Sequence, residues 1–307
     1  MELLHKAILL ALPRVPKAMI RRIAGRYIAG ESIEGVLGVV SDLAAEGLWS
    51  TVDVLGENVT SDEEADRAEE EYLRLVERLS ELAPPRQVSL KLTLLGLRVN
   101  ESHLSDRLER IVRSAQRHGT SICLDMEDSS TTDATIRIFR WLKAEYADLS
   151  LAIQAYLHRS VEDLKSLLPL RPSLRICKGI YNEPPEIAFS DRRTIQENYV
   201  HLLELLIDGG GYPAIATHDP WLVSRALQML ASRGLGRNTH EFQMLLGVGE
   251  ALRKEILASG SPLRLYCPYG PDWYAYSLRR LRENPRMGGY IFKSLFSTKV
   301  LRGGYLK

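Results

Sequence analysis

Short apolar runs rich in β-branched residues alternate with longer stretches whose apolar positions recur at the helical period, from about residue 48 to residue 284. The runs fall at 49–55, 87–93, 121–125, 150–155, 174–178, 214–217, 242–246 and 263–266. After them come 61–82, 104–117, 132–146, 161–168, 192–206, 220–233, 249–258 and 272–284, which carry the 3.6-residue spacing seen at Leu73, Val76, Leu79 and Leu82. Such alternation predicts a parallel sheet with crossover helices. Eight units in succession favour an α/β fold of the (β/α)8 TIM type over an open doubly wound sheet. Residues 20–29 and 33–48 have helical spacing without a strand-like run, so 1–47 reads as an N-terminal helical segment, 48–285 as the catalytic barrel and 286–307 as a C-terminal tail. The run Gly209-Gly-Gly-Tyr-Pro reads as a helix stop before the sixth strand.

Composition narrows the classes. Lys plus Arg number 40 against 39 Asp plus Glu, so no basic field exists to attract nucleic acid. Cys123, Cys177 and Cys267 have no C-x-x-C spacing and no His at zinc-ligand spacing, which predicts no metal and no disulfide framework, and a reducing, cytoplasmic setting. The apolar stretch 7–12 is followed by Pro13 and Arg14 and is too short to span a bilayer, so membrane contact is expected to be peripheral, at the inner face. G-x-G-x-x-G after a strand, the P-loop, the nucleophile elbow and H-E-x-x-H are all absent.

In barrels of this kind chemistry gathers at the C-terminal ends of the strands. Those ends carry Asp53 and Glu57, Lys91, Asp125 with Glu127, Gln154, Arg175 and Lys178, Thr217-His218-Asp219, Gln243 and Tyr266. A lysine inside Val88-Ser-Leu-Lys-Leu-Thr needs either a partner or a task, because an unpaired buried ammonium is costly. An ion pair with Asp125 on the next strand is the bland account, and Glu127 and Asp128 read as solvated loop acids. Arg279 and Arg280 lie on the last helical stretch, which is expected to cover the mouth of the barrel. Two adjacent guanidiniums suit bidentate capture of a carboxylate, and the competing reading is an exposed helix with an i,i+4 pair between Arg279 and Glu283.

Four segments taken together resemble the proline dehydrogenase family, the flavin enzymes that oxidise proline to Δ1-pyrroline-5-carboxylate. They are Ser89-Leu-Lys91-Leu-Thr; Arg175-Ile-Cys-Lys178-Gly-Ile-Tyr181; Ala216-Thr-His218-Asp with Phe242-Gln-Met-Leu-Leu; and Leu265-Tyr266-Cys-Pro-Tyr-Gly270 with Arg279-Arg280-Leu-Arg-Glu283. The compact length is similar to the monofunctional bacterial branch. The resemblance implies that Arg279, Arg280 and Lys91 hold the proline carboxylate, Tyr266 packs on the pyrrolidine ring, Glu283 orients the arginines and Asp125 supports Lys91. It implies FAD as cofactor, lined by Gln154, Arg175, Lys178, Gly179, Thr217, His218, Gln243 and Leu245, with Glu57 as a gating acid. It further implies L-proline as substrate, a membrane quinone as electron acceptor and a separate pyrroline-5-carboxylate dehydrogenase downstream. Two other classes stay open at this point. One is a barrel lyase or aldolase with Lys91 as Schiff-base nucleophile, and the other is a non-catalytic barrel that binds an amino acid.

Overall fold

A computed structural model describes residues 24–274 together with Arg21 and Ser277. Eight strands, β1 (Trp49–Val54), β2 (Arg86–Leu90), β3 (Ser121–Leu124), β4 (Leu149–Gln154), β5 (Ser173–Cys177), β6 (Tyr212–Ala216), β7 (Glu241–Leu245) and β8 (Leu263–Tyr269), close in sequence order into a barrel. Every neighbouring pair is parallel, and β8 returns to β1 with Thr51 opposite Tyr266. The (β/α)8 reading is correct.

Side chains alternate along each strand. The outward positions are apolar, as Val88 and Leu90, Ile122 and Leu124, Leu174 and Ile176, and Phe242 and Met244, and they join one core beneath the helices. Many inward positions are polar, and their hydrogen bonds cross the lumen between strands that are not neighbours. Arg175 Nη1 on β5 donates to Ser89 Oγ on β2 at 3.1 Å, and Arg175 Nε donates to Gln243 Oε1 on β7 at 2.7 Å. Parallel strands buried on both faces are usually continuous apolar runs. Here a two-residue period survives, because one buried face is oil-like and the other is a hydrogen-bonded lumen.

The helices around the barrel are α1 (Ile33–Ala45), α2 (Asp62–Leu79), α3 (Glu101–Arg117), α4 (Thr132–Lys143), α5 (Ser160–Leu167), α6 (Arg192–Asp208), α7 (Pro220–Ser232) and α8 (Glu250–Ala258). Their starts are written in the sequence. Ser32, Ser61, Asn100, Asp191 and Asp219 each accept a backbone N–H of the first turn, and Pro220 opens α7 where a missing N–H costs nothing. The glycine run ends α6 as expected, and Tyr212 N then bonds Pro172 O to begin β6.

Of the two expected N-terminal helices the second forms as α1, and the first, helical at Arg21 and Ala24, stops short of residue 29. Residues 25–27 form a turn. The chain then runs along the C-terminal edge of the barrel, where Ala29 N donates to Pro268 O at 2.8 Å and Gly270 N to Gly30 O at 3.1 Å. Helix α1 packs outside β1 and β8, and so takes a place in the outer ring. Most of the helix expected over 272–284, the tail 286–307 and residues 1–20 lie outside the described residues.

Gly247, just beyond β7, holds this N-terminal strap close. Its φ is +70°, and a Cβ there would lie 1.9 Å from the Arg26 carbonyl oxygen. Gly247→Ala is therefore expected to destabilise the protein by at least about 1–2 kcal/mol from the left-handed backbone alone, read as an earlier denaturant midpoint. An unchanged midpoint would remove the strap from the stabilising contacts.

Candidate active site

The charged strand ends meet at one point in the mouth. Lys91, one residue past β2, donates to the buried carboxylate of Asp53 on β1, while Asp125, one residue past β3, stands 3.6 Å from the ammonium. The nearer partner of Lys91 is thus Asp53 and not the expected Asp125, because the pairing of β1 with β2 brings their inward residues together. Asp125 is bound mainly by others. Its Oδ1 accepts from Arg175 Nη1 and from Ser89 Oγ at 2.6 Å, and its Oδ2 accepts from the Tyr266 hydroxyl at 2.7 Å. The Arg175 guanidinium also lies 5.2 Å from the centroid of the Tyr266 ring, within cation–π range.

The two carboxyls are pushed in opposite directions. Burial raises the Asp53 pKa, and the attraction of Lys91 offsets this only in part. Burial acts the same way on Asp125, but the charges of Arg175 and Lys91 and the bonds from Ser89 and Tyr266 outweigh it and hold that pKa below the ordinary carboxylate value. Unequal environments of this kind separate the roles of two nearby carboxyls.

Glu127 corrects a second expectation. It is 3% exposed rather than solvated, and its carboxylate accepts from the hydroxyl and, at 3.0 Å, the backbone N–H of Thr93. Burial raises its pKa against those bonds. Residues 126 and 127 also anchor Gln154, whose Nε2 donates to Met126 O at 2.9 Å and Glu127 O at 2.7 Å. With the donor end occupied, Gln154 Oε1 is buried with no hydrogen-bond partner among the described residues. A buried acceptor left open in this way suits an N–H brought by a bound molecule.

The opposite side of the mouth is cationic. Asp219, which caps α7, accepts from Lys178 at 3.1 Å, Arg192 at 3.2 Å and Gln196 at 2.8 Å, and its own N–H donates to Thr217 Oγ1. His218 Nε2 accepts from Leu245 N at 2.9 Å, so a neutral ring carries its proton on Nδ1. Burial, with the nearby Lys178 charge, lowers the His218 pKa to about 4.

Gly179 has a φ of +103°, and a Cβ there would lie 2.0 Å from the Tyr156 ring, which gives this glycine a packing reason of its own. Gln243 is spent inside the barrel, between Arg175 and Glu241. Glu57 is half-buried in the loop after β1. Arg279, Arg280 and Glu283 lie outside the described residues. Among the described residues no group of three or more His, Cys, Asp or Glu side chains converges as metal ligands, and no helix is long and apolar enough to cross a membrane.

The chain has relatives of known name. The sequence model of the proline dehydrogenase family matches residues 36–289. Proline dehydrogenase 1 of Bacillus subtilis subsp. natto is 36% identical over 272 residues, covering 89% of this chain and 90% of that protein. Proline dehydrogenase of Deinococcus radiodurans is 34% identical over 304 residues, covering 96% and 98%. Among solved structures, proline utilization A from Bdellovibrio bacteriovorus, inactivated by N-propargylglycine, superposes with a TM-score of 0.80 at 28% identity. That match covers 85% of this chain and 32% of the other, so the chain spans about a third of that longer protein. By sequence and by fold, the chain belongs to the proline dehydrogenase family.

Proposed function

We propose that the protein oxidises L-proline to Δ1-pyrroline-5-carboxylate as the first step of proline catabolism, with FAD as the hydride acceptor and a membrane quinone as the final one. A separate pyrroline-5-carboxylate dehydrogenase would consume the product. The observation that carries this reading is the buried cluster of Lys91, Asp53, Asp125, Tyr266 and Arg175 at the strand ends of a family barrel.

The mouth fits the cofactor. The open acceptor of Gln154 suits an N–H on a flavin ring edge, and the cations Lys178 and Arg192, with Thr217 and His218 nearby, suit a pyrophosphate. Held there, FAD would supply the acceptor for a hydride from the ring carbon beside the proline nitrogen. The chain supplies orientation and charge. Lys91, together with Arg279 and Arg280, holds the substrate carboxylate, and the Tyr266 ring supports the pyrrolidine while its hydroxyl stays fixed on Asp125. Glu283 orients the two arginines. Arg175, itself buried, directs positive charge towards the mouth, and charge held out of water acts most strongly. Glu57 serves as the gate. Lys91 lies between two carboxylates, which suits a fixed ammonium and not the free amine that a Schiff-base lyase needs.

Anaerobic mixing of the purified protein with proline tests the reading: the visible flavin bands should bleach, and a protein that neither carries nor takes up FAD would sink it. Removing a charge-assisted contact typically costs about 1.5–3 kcal/mol. Arg280→Met is accordingly expected to raise the proline KM by roughly ten- to a hundredfold while FAD content stays near that of the parent. Equal loss of FAD would reassign Arg280 to cofactor binding.

His218 gives a pH signature. Its folded pKa of about 4 lies below the ordinary 6.5, so the unfolded chain binds the proton more readily and protonation opposes folding. The contribution is complete above pH 6.5 and is lost as pH falls towards 4. Urea midpoints should therefore drop less steeply between pH 7 and pH 5 in His218→Gln than in the parent. Parallel declines would exclude His218 as the source.

A further inference from the structure

A second polar cluster lies one layer below the mouth, at the N-terminal end of the barrel, and the reaction as proposed makes no use of it. Glu241 opens β7 and Arg264 stands near the start of β8, 3% and 5% exposed. Arg264 grips the carboxylate with two donors, Nε to Oε1 at 2.7 Å and Nη2 to Oε2 at 3.0 Å, and sends Nη1 to Ser50 O at 2.9 Å. Its guanidinium is further held 5.2 Å from the centroid of Trp49. Glu241 Oε1 also accepts from Gln243 Nε2 at 2.5 Å, and Gln243 Oε1 accepts from Arg175 Nε at 2.7 Å.

The chemistry of these groups leaves Gln243 one orientation. A carboxylate only accepts and a guanidinium N–H only donates, so the amide must present NH2 to Glu241 and its carbonyl to Arg175. The reverse orientation would set oxygen against oxygen and N–H against N–H. Glu241 in turn is fixed by the fork of Arg264. For stability alone, an apolar layer of similar volume serves a barrel floor as well as a buried ion pair does.

We propose that Glu241, clamped by Arg264, is a positioning residue that acts through Gln243 to fix Arg175, and so sets the positive charge facing the mouth. Replacing Glu241 by a neutral amide removes one of the two constraints on Gln243, since Gln at that position offers both a donor and an acceptor and leaves Arg175 alone to orient the amide. Arg175 then keeps Asp125 and Ser89, while the Gln243 carbonyl on its Nε is no longer anchored from the far side. The consequence for catalysis rests on the proline-oxidising reading. The positioning itself does not.

Two readouts separate these. In protein labelled with 15N-arginine, the Arg175 Nε–H of Glu241→Gln is expected to exchange with solvent at least tenfold faster than in the parent, with or without flavin. Unchanged exchange overturns the inference. In the FAD-loaded protein, Glu241→Gln should slow flavin reduction by proline about tenfold, equivalent to about 1.4 kcal/mol, with proline KM within twofold and a lower midpoint potential of the bound flavin. A lower melting temperature with parental rate constant and potential would make the pair purely structural. Should Glu241→Gln fail to fold, Glu241→Met/Arg264→Met removes both charges together and carries the same expectations. A parent protein that binds no FAD would defeat the proposed function and leave the exchange measurement to decide the positioning.

Discussion

Arg175 keeps its charge on the inner side of a closed barrel, 6% exposed, and the lumen is organised around that one guanidinium. An ion taken out of water costs several kcal/mol unless its donors are met. Donors of Arg175 are met by Asp125 after β3, Ser89 on β2 and Gln243 on β7, with the Tyr266 ring of β8 alongside. The contacts therefore tie β5 to strands on the far side of the barrel, which backbone pairing between neighbours cannot do. The same bonds leave Asp125 ionised and set the Tyr266 hydroxyl as a donor to it, so the Tyr266 side of the mouth inherits its polarity from the centre.

The strands were legible as short apolar runs set between stretches of helical spacing, and polar residues inside several of those runs mark the inward face. The strand-end chemistry followed from the topology. What the sequence could not reveal depends on contacts between distant segments. β8 runs on to Tyr269 rather than stopping near 266, because β1 pairs with it as far as Val54 and Tyr269 O accepts from Leu55 N. Asp53 stood in view as a strand-end acid, but its bond to Lys91 depends on how β1 and β2 bring their inward faces together. Glu127 has the local look of a loop acid. Only the chain after β2, with Thr93 donating twice, makes it a buried one.

The place of α1 has a similar origin. Its apolar spacing identifies a helix, but nothing within those thirteen residues says that it will lie outside β1 and β8. That position is the one a helix following the last strand would occupy in a regular barrel. The ring is thus completed from the N-terminal side. The strap at 29–30, which leads into α1, is joined to the end of β8 by its pairing with 268–270.

The layering of the lumen follows from the rule that buried donors and acceptors must match. Carboxylates can only accept and guanidinium groups can only donate, so a column that alternates Arg264, Glu241, Gln243, Arg175 and Asp125 has a direction that no rotamer change can reverse. The amide of Gln243 is the one member able to face either way, and both of its neighbours are single-minded. A column of this kind differs from a packed apolar interior in what it conveys. Substituting an apolar residue at the floor would change volume locally, whereas removing one charge from the column alters which atoms the next member can offer, up to the mouth where Lys91 and Tyr266 stand.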